Sequence, residues 1–276
     1  MPTLFPASLV LSEPPYKQPY GFTLIELVGV IAIIIALTAL LVPAFTSLKG
    51  AGDINQAAHT IAGVFEQART YALANNTYVW VGLYEENTTA AAPTNTTPPY
   101  PGKGRVLLAV VAANDGTTSC QDPASSTGNR IPLISSQITQ VGTLVKIENI
   151  HVTDIGPPPS LASSPAPNPN SIAGRPDFPY TSGSPAFDYQ NRISSDDNHS
   201  SFNQTLYPFI AQGYVFHKTV RFSPRGEASI NGTYLLRRVA EMGLKPTHGD
   251  VVDLRSANVV AIQFSGVTGK CKIYRQ

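Results

Sequence analysis

One stretch limits what this chain can fold into more than any other. From Leu27 to Leu48 the sequence reads LVGVIAIIIALTALLVPAFTSL, 22 residues without a charge. A helix needs about 20 mainly apolar residues to cross a bilayer, so the run predicts a membrane-spanning helix. No second run of this kind follows, which predicts a single pass. A secretory signal fits poorly. Its apolar core is about 7–15 residues behind a basic segment, whereas here the run is longer and Glu26 stands at its start. The balance of 19 basic and 18 acidic residues excludes a uniformly basic surface for nucleic acid and an acidic disordered chain. Two cysteines exclude a disulfide-rich scaffold and a four-cysteine zinc site, and leave room for one bridge, Cys120 to Cys271.

The residues that enter the run are Gly21-Phe22-Thr23-Leu24-Ile25-Glu26-Leu27-Val28. They resemble the processing motif of type IV prepilins and type II secretion pseudopilins. The resemblance implies a leader peptide over 1–21, cleavage between Gly21 and Phe22, and N-methylation of the new terminal Phe22. It implies an assembly role for Glu26, fifth in the mature chain, and a helix kink at Pro43, its twenty-second residue. The implied partners are the prepilin peptidase/methyltransferase, other pilin or pseudopilin subunits through the N-terminal helix, and an inner-membrane assembly platform. The implied location is the bacterial inner membrane, single-pass with the head in the periplasm, and then a periplasmic or surface filament. A carboxylate at membrane depth calls for a partner. The Phe22 amine freed by cleavage is a natural one for Glu26, and pairing between subunits would set a filament's register.

After the run, Ile54, Ala57, Ile61, Phe65, Ala68 and Ala72 recur at spacings of three and four, one face of an amphipathic helix ending near Asn75-Asn76. Strands are expected at Thr77–Tyr84, Arg105–Ala112, Leu144–Val152, Gly213–Phe222, Ala257–Ser265 and Gly269–Arg275, all rich in β-branched and aromatic residues. Within Gly213–Phe222, Tyr214, Phe216, Val220 and Phe222 should share a face. Ser223-Pro224-Arg225-Gly226 reads as a type I turn, Asn231-Gly232 as a hairpin dipeptide, and Tyr234–Met242 as a short helix stopped by Gly243. Two inserts, 85–104 and 156–201, are rich in small polar residues and proline and read as surface spacers. The expected fold is α+β, a long N-terminal helix packed on an antiparallel sheet or small sandwich. Residues 22–48 form the transmembrane or filament-core helix, 49–76 its amphipathic continuation, and 77–276 a β-rich head.

The head carries a second resemblance. Phe65-Glu66-Gln67-Ala68-Arg69, then Phe222-Ser223-Pro224-Arg225-Gly226, Val260-Ala261-Ile262 and Thr268-Gly269-Lys270, look like minor pseudopilins of the GspH/FimT kind. The long inserts are similar to those of prepilin-type Verru_Chthon cassette proteins.

Nothing reaches the standard of an active site. Gly266–Lys270 (GVTGK) lacks the spacing and the following helix of a phosphate loop. The five histidines show no metal-ligand spacing, and Asp196-Asp197-Asn198-His199 lacks a calcium loop's spaced carboxylates. The reading is therefore non-catalytic, without cofactor or metal: a minor pilin or pseudopilin subunit, processed and assembled into a filament of a secretion or pilus system. One alternative is a membrane-anchored periplasmic binding domain that never polymerises. The other is a DNA-binding minor pilin of an uptake system, using Lys270, Lys272 and Arg275. Nucleic acid is not the expected partner, because lysines on an edge strand also guard against edge pairing. Alternation would set Lys270, Lys272 and Tyr274 on one face, opposite Cys271, Ile273 and Arg275.

Overall fold

The computed structural model describes residues 21, 23–89, 102–122, 124, 131–153, 172, 175, 192–193, 207–230, 240–253 and 256–275, without the side chains of 40–51 and 192. The chain forms two compact units, one ending at Thr46 and one spanning Ser47–Gln276.

The first unit contains the beginning of helix α1 (Leu24–Asn75). Every large apolar side chain from Leu24 to Leu37 is exposed. Among the described residues no helix is long and apolar enough to cross a membrane. This overturns the membrane-spanning helix expected over 22–48, and with it the single-pass inner-membrane location and periplasmic head. The described side chains of the run extend only to Ala39, with Glu26 at one end. At the other, Thr38 turns its hydroxyl back to the carbonyls of Ile34 and Ile35 at 2.9 Å.

In the second unit α1 buries the stripe anticipated from its spacing: Ile54, Ala57, Ile61, Phe65, Ala68 and Ala72 are each at most 2% exposed. The helix stops where Asn76 takes φ 48° and the Thr77 amide donates to the Ala72 carbonyl at 3.1 Å. Asparagine tolerates this left-handed conformation better than most residues.

The strands follow in order: β1 (Val79–Asn87), β2 (Gly104–Ala113), β3 (Ile138–Gln140), β4 (Val145–Thr153), β5 (Arg192–Ile193), β6 (Phe209–Ala211), β7 (Tyr214–Phe216), β8 (Lys218–Phe222), β9 (Ala228–Ser229), β10 (Ala240–His248), β11 (Val251–Val252), β12 (Val260–Phe264) and β13 (Cys271–Arg275). Eleven of them form one curled sheet whose main path is β13-β12-β10-β4-β2-β1-β8-β9. Its neighbours are antiparallel, except that β5 lies parallel to β10. β6 and β7 form a separate hairpin.

Strand therefore outweighs helix, and the expected α+β class gives way to a mainly β protein. The reason is legible in the elements that the pattern missed. β3, β5, β6, β9 and β11 have two or three residues each, too few to show an alternation. The helix expected at Tyr234–Met242 is also corrected. Gly243 lies inside β10, whose sequence AEMGLKPTH is a strand because β12 and β4 pair with it on either side. Asn231-Gly232 lies outside the described residues.

Alternation sorts the side chains into two layers. Val79, Val81, Val106, Leu108, Ile150, Val152, Leu244 and Ile262 pack with the buried stripe of α1 in the main core. Trp80, Leu107, Ala109 and Val111 point the other way and pack with Phe209 and Phe216 of the small hairpin. The strand expected over Gly213–Phe222 is broken at His217. Phe216 consequently joins the second cluster while Val220 and Phe222 join the main core, so the four residues do not share a face. Gly82 is needed here, because a Cβ at this position would collide with the rings of Phe209 and Phe216.

Candidate functional site

Thr23 precedes the first turn of α1 and acts as its cap. The Thr23 amide and hydroxyl donate to Glu26 Oε2 at 3.1 and 3.0 Å, and the Glu26 amide donates back to the Thr23 hydroxyl at 3.3 Å. This reciprocal arrangement is a capping box, written in the sequence as threonine with glutamate three residues on. It satisfies amide donors that the first turn leaves open. The Thr23 hydrogen bonds hold the Glu26 carboxyl below its usual range, so the carboxylate is ionised and fully exposed. Glu26 Oε1 takes no part in the box. Gly21 is exposed, and among the described residues nothing lies within 4 Å of where a Cβ would sit. Phe22 lies outside the described residues. Pro43 falls inside the span of α1, and its side chain is outside the description.

At the other end of the chain, Lys270, Lys272 and Arg275 are all exposed. Lys272 Nζ lies 4.9 Å from the Tyr274 ring centroid, so these two share a face as alternation required. Arg275 points away to α1 and contacts His59 Nε2 at 2.8 Å. The bridge for which two cysteines left room is not made. Both thiols are free, Cys120 in the second cluster and Cys271 against the main core, on opposite layers of the sheet. Burial pushes their pKa values up, to about 11 and about 12 respectively.

Sequence reasoning missed a buried polar system in the sheet. Its first part corrects the insert drawn at 85–104, because β1 continues through Glu85, Glu86 and Asn87. Pairing between β2 and β4 skips a residue at Asn149, which adopts φ 61°, and ends at Gly104 opposite Ile150. Beyond that point the Val152 amide has no β2 partner, and the Glu85 carboxylate takes its place. The same oxygen lies 3.1 Å from His151 Nδ1. Alongside, Arg105 bridges Glu86 at 3.1 Å and Glu148 at 2.6 Å across three strands.

The second part corrects the other insert, expected as a spacer over 156–201. Arg175 from its interior is fully buried 3.0 Å from Glu241 of β10, and Gln263 donates to the same carboxylate at 2.8 Å. Ile172 packs on Val259 and Ala261, and β5 pairs with β10. Most of the remaining insert, including Asp196-Asp197-Asn198-His199, lies outside the described residues. Lys245, only 3% exposed, sits opposite His151 in the β10–β4 register. Burial lowers the pKa of its ammonium group, with the Asp253 charge opposing. No local signal marks these partners, since each pair joins residues far apart in sequence.

Gly266–Lys270 forms the turn between β12 and β13, closed by Gly269 amide to Ser265 carbonyl at 2.7 Å, as a hairpin reading requires. Among the described residues no group of histidine, cysteine and carboxylate side chains could hold a metal. No family model matches the chain, and no curated protein or solved structure matches it.

Proposed function

We propose that this chain is a non-catalytic, pilin-like subunit, cut between Gly21 and Phe22 by a prepilin peptidase/methyltransferase and built into a filament through the start of α1. The observation that carries the reading is the exposure of that segment. Leu24 is 80% exposed, Ile25 75%, and no large apolar residue through Leu37 falls below 47%. Burying one such side chain is worth about 1.5–3 kcal/mol, so a surface this apolar favours association. Like segments of other subunits would bury one another, with the ionised Glu26 paired to a neighbour's freed Phe22 amine. The capping box leaves Glu26 Oε1 available for that contact. The motif Gly21-Phe22-Thr23-Leu24-Ile25-Glu26 supports the processing step.

Intact-mass analysis of the mature protein tests the processing step, and should return methylated Phe22 as the first residue. A chain beginning at Met1 would defeat it. Glu26→Leu tests assembly. The variant should be processed and folded but largely lost from sheared filaments. Undiminished co-purification with filaments would remove the register role.

A further inference from the structure

Three segments remote in sequence converge around Arg69. Its Nε donates to the Thr268 carbonyl at 2.6 Å. One turn earlier, Glu66 accepts the Cys271 amide at 3.2 Å through Oε1 and lies 3.4 Å from Arg69 Nη1 through Oε2. The turn Ser223–Gly226, closed by Gly226 amide to Ser223 carbonyl at 2.8 Å, packs beside Arg69 and Leu73. Gly269, at φ +66°, is held so closely that a Cβ there would strike the Gly226 carbonyl and the Arg69 side chain. Next to it the Ala228 amide of β9 donates to the Gly266 carbonyl at 2.8 Å.

β9 and β13 are the two ends of the main strand path. This cluster is therefore a seam where the curled sheet meets itself over the helix. The tie is thin. Among the described residues, the Ala228–Gly266 bond, the clasp of Arg69 and Glu66 and the Arg275 contact with His59 stand against a nine-residue ladder between β1 and β2. Regions with few backbone bonds open at lower free energy than the core.

We infer that the seam is a built-in opening of the head that Arg69 holds shut, and that releasing it frees β13 and β9 from α1 and from each other while β1, β2, β4 and β10 stay paired. The outer edges of β9 and β13 already lack a strand neighbour among the described residues; opening frees them from the helix, and unpaired edges are the form in which strands recruit further strands. The inference stands independently of the filament reading.

The two thiols report on it. Cys271 lies at the seam, half-buried beside Glu66, and Cys120 is fully buried in the other layer. The experiment is alkylation of the full-length protein by N-ethylmaleimide, with each cysteine followed by peptide mass. Arg69→Ala should speed Cys271 labelling about tenfold or more, the change expected on loss of a charge-assisted hydrogen bond. Labelling of Cys120 should not change. Gly269→Ala, which forces the seam from the other side, should do the same. In the unaltered protein, the urea dependence of labelling should be shallower for Cys271 than for Cys120, because a local opening exposes less surface than global unfolding. An unchanged Cys271 rate in both variants would overturn the inference. So would parallel acceleration of both cysteines, or equal urea dependence, since either means that the seam opens only when the whole head unfolds.

Discussion

Along α1, the stretch from Leu24 to Leu37 and the stretch from Ile54 to Ala72 both carry abundant apolar side chains, yet they meet opposite fates. In the first, the apolar residues surround the helix and all are exposed. In the second they fall on one stripe, at spacings of three and four, and that stripe is buried under the sheet. The difference lies in what the rest of the chain supplies. Polar residues such as Gln56, Gln67 and Thr70 give the second stretch a solvent face, so one sheet suffices to cover it. A helix that is apolar on every side has no solvent face and needs partners all round.

The largest effect expected from this contrast is at Phe65. Its ring lies 5.6 Å from that of Phe264 and 6.3 Å from that of Phe222, fully buried. Phe65→Ala should cost about 3–5 kcal/mol, read as a lowered urea midpoint. A loss below about 1 kcal/mol would mean that the buried stripe is not what holds helix to sheet.

Arg175→Met asks whether the head rests on apolar packing alone. It leaves Glu241 charged in the interior and should destabilise by about 3–5 kcal/mol, whereas Arg175→Met/Glu241→Met together should recover much of that. If the single variant unfolds at the same urea midpoint as the unaltered protein, the insert is not anchored there.

Thr23→Ala removes the cap of the exposed stretch and should cost about 1 kcal/mol locally, seen as faster amide exchange in the first turn of α1, with Thr23→Ser restoring protection. Lys245 adds a smaller, pH-dependent effect. Its pKa is lowered from 10.5 in the folded protein, so between that lowered value and 10.5 the unfolded chain binds more protons than the folded one. Stability should therefore rise with pH through this window. Lys245→Met should flatten that rise in urea titrations, and an identical pH profile would contradict the burial of the ammonium group.

The smallest stability change is expected in the exposed stretch. Ile34→Ser should shift the unfolding free energy of the isolated chain by no more than about 0.5 kcal/mol, while reducing self-association in sedimentation. A destabilisation comparable to that of Phe65→Ala would show that the stretch is covered within its own chain, and would break the comparison.

Much of the local structure was legible from residue order alone. The helix face from Ile54 to Ala72, its stop at Asn76, the bodies of β1, β2, β4, β12 and β13, and the turns at Ser223–Gly226 and Gly266–Gly269 follow from periodicity and turn chemistry, which act over a few residues. The capping box was equally local, Thr23 with Glu26. Its signal is masked because Glu26 also stands as the one charge at the head of an apolar run, which hides its place as the third residue of a helix. Tertiary structure alone decided that β10 is a strand despite Gly243 and Pro246, that the chain is mainly β, and that Phe216 and Phe222 face opposite ways. It also decided that Glu85 reaches β4, Arg175 reaches Glu241, and Arg69 closes the seam. Most of these depend on partners well outside the local stretch of sequence. Nearest-neighbour propensity carries no information about them, because the pairing free energy exists only once the sheet has brought the strands together.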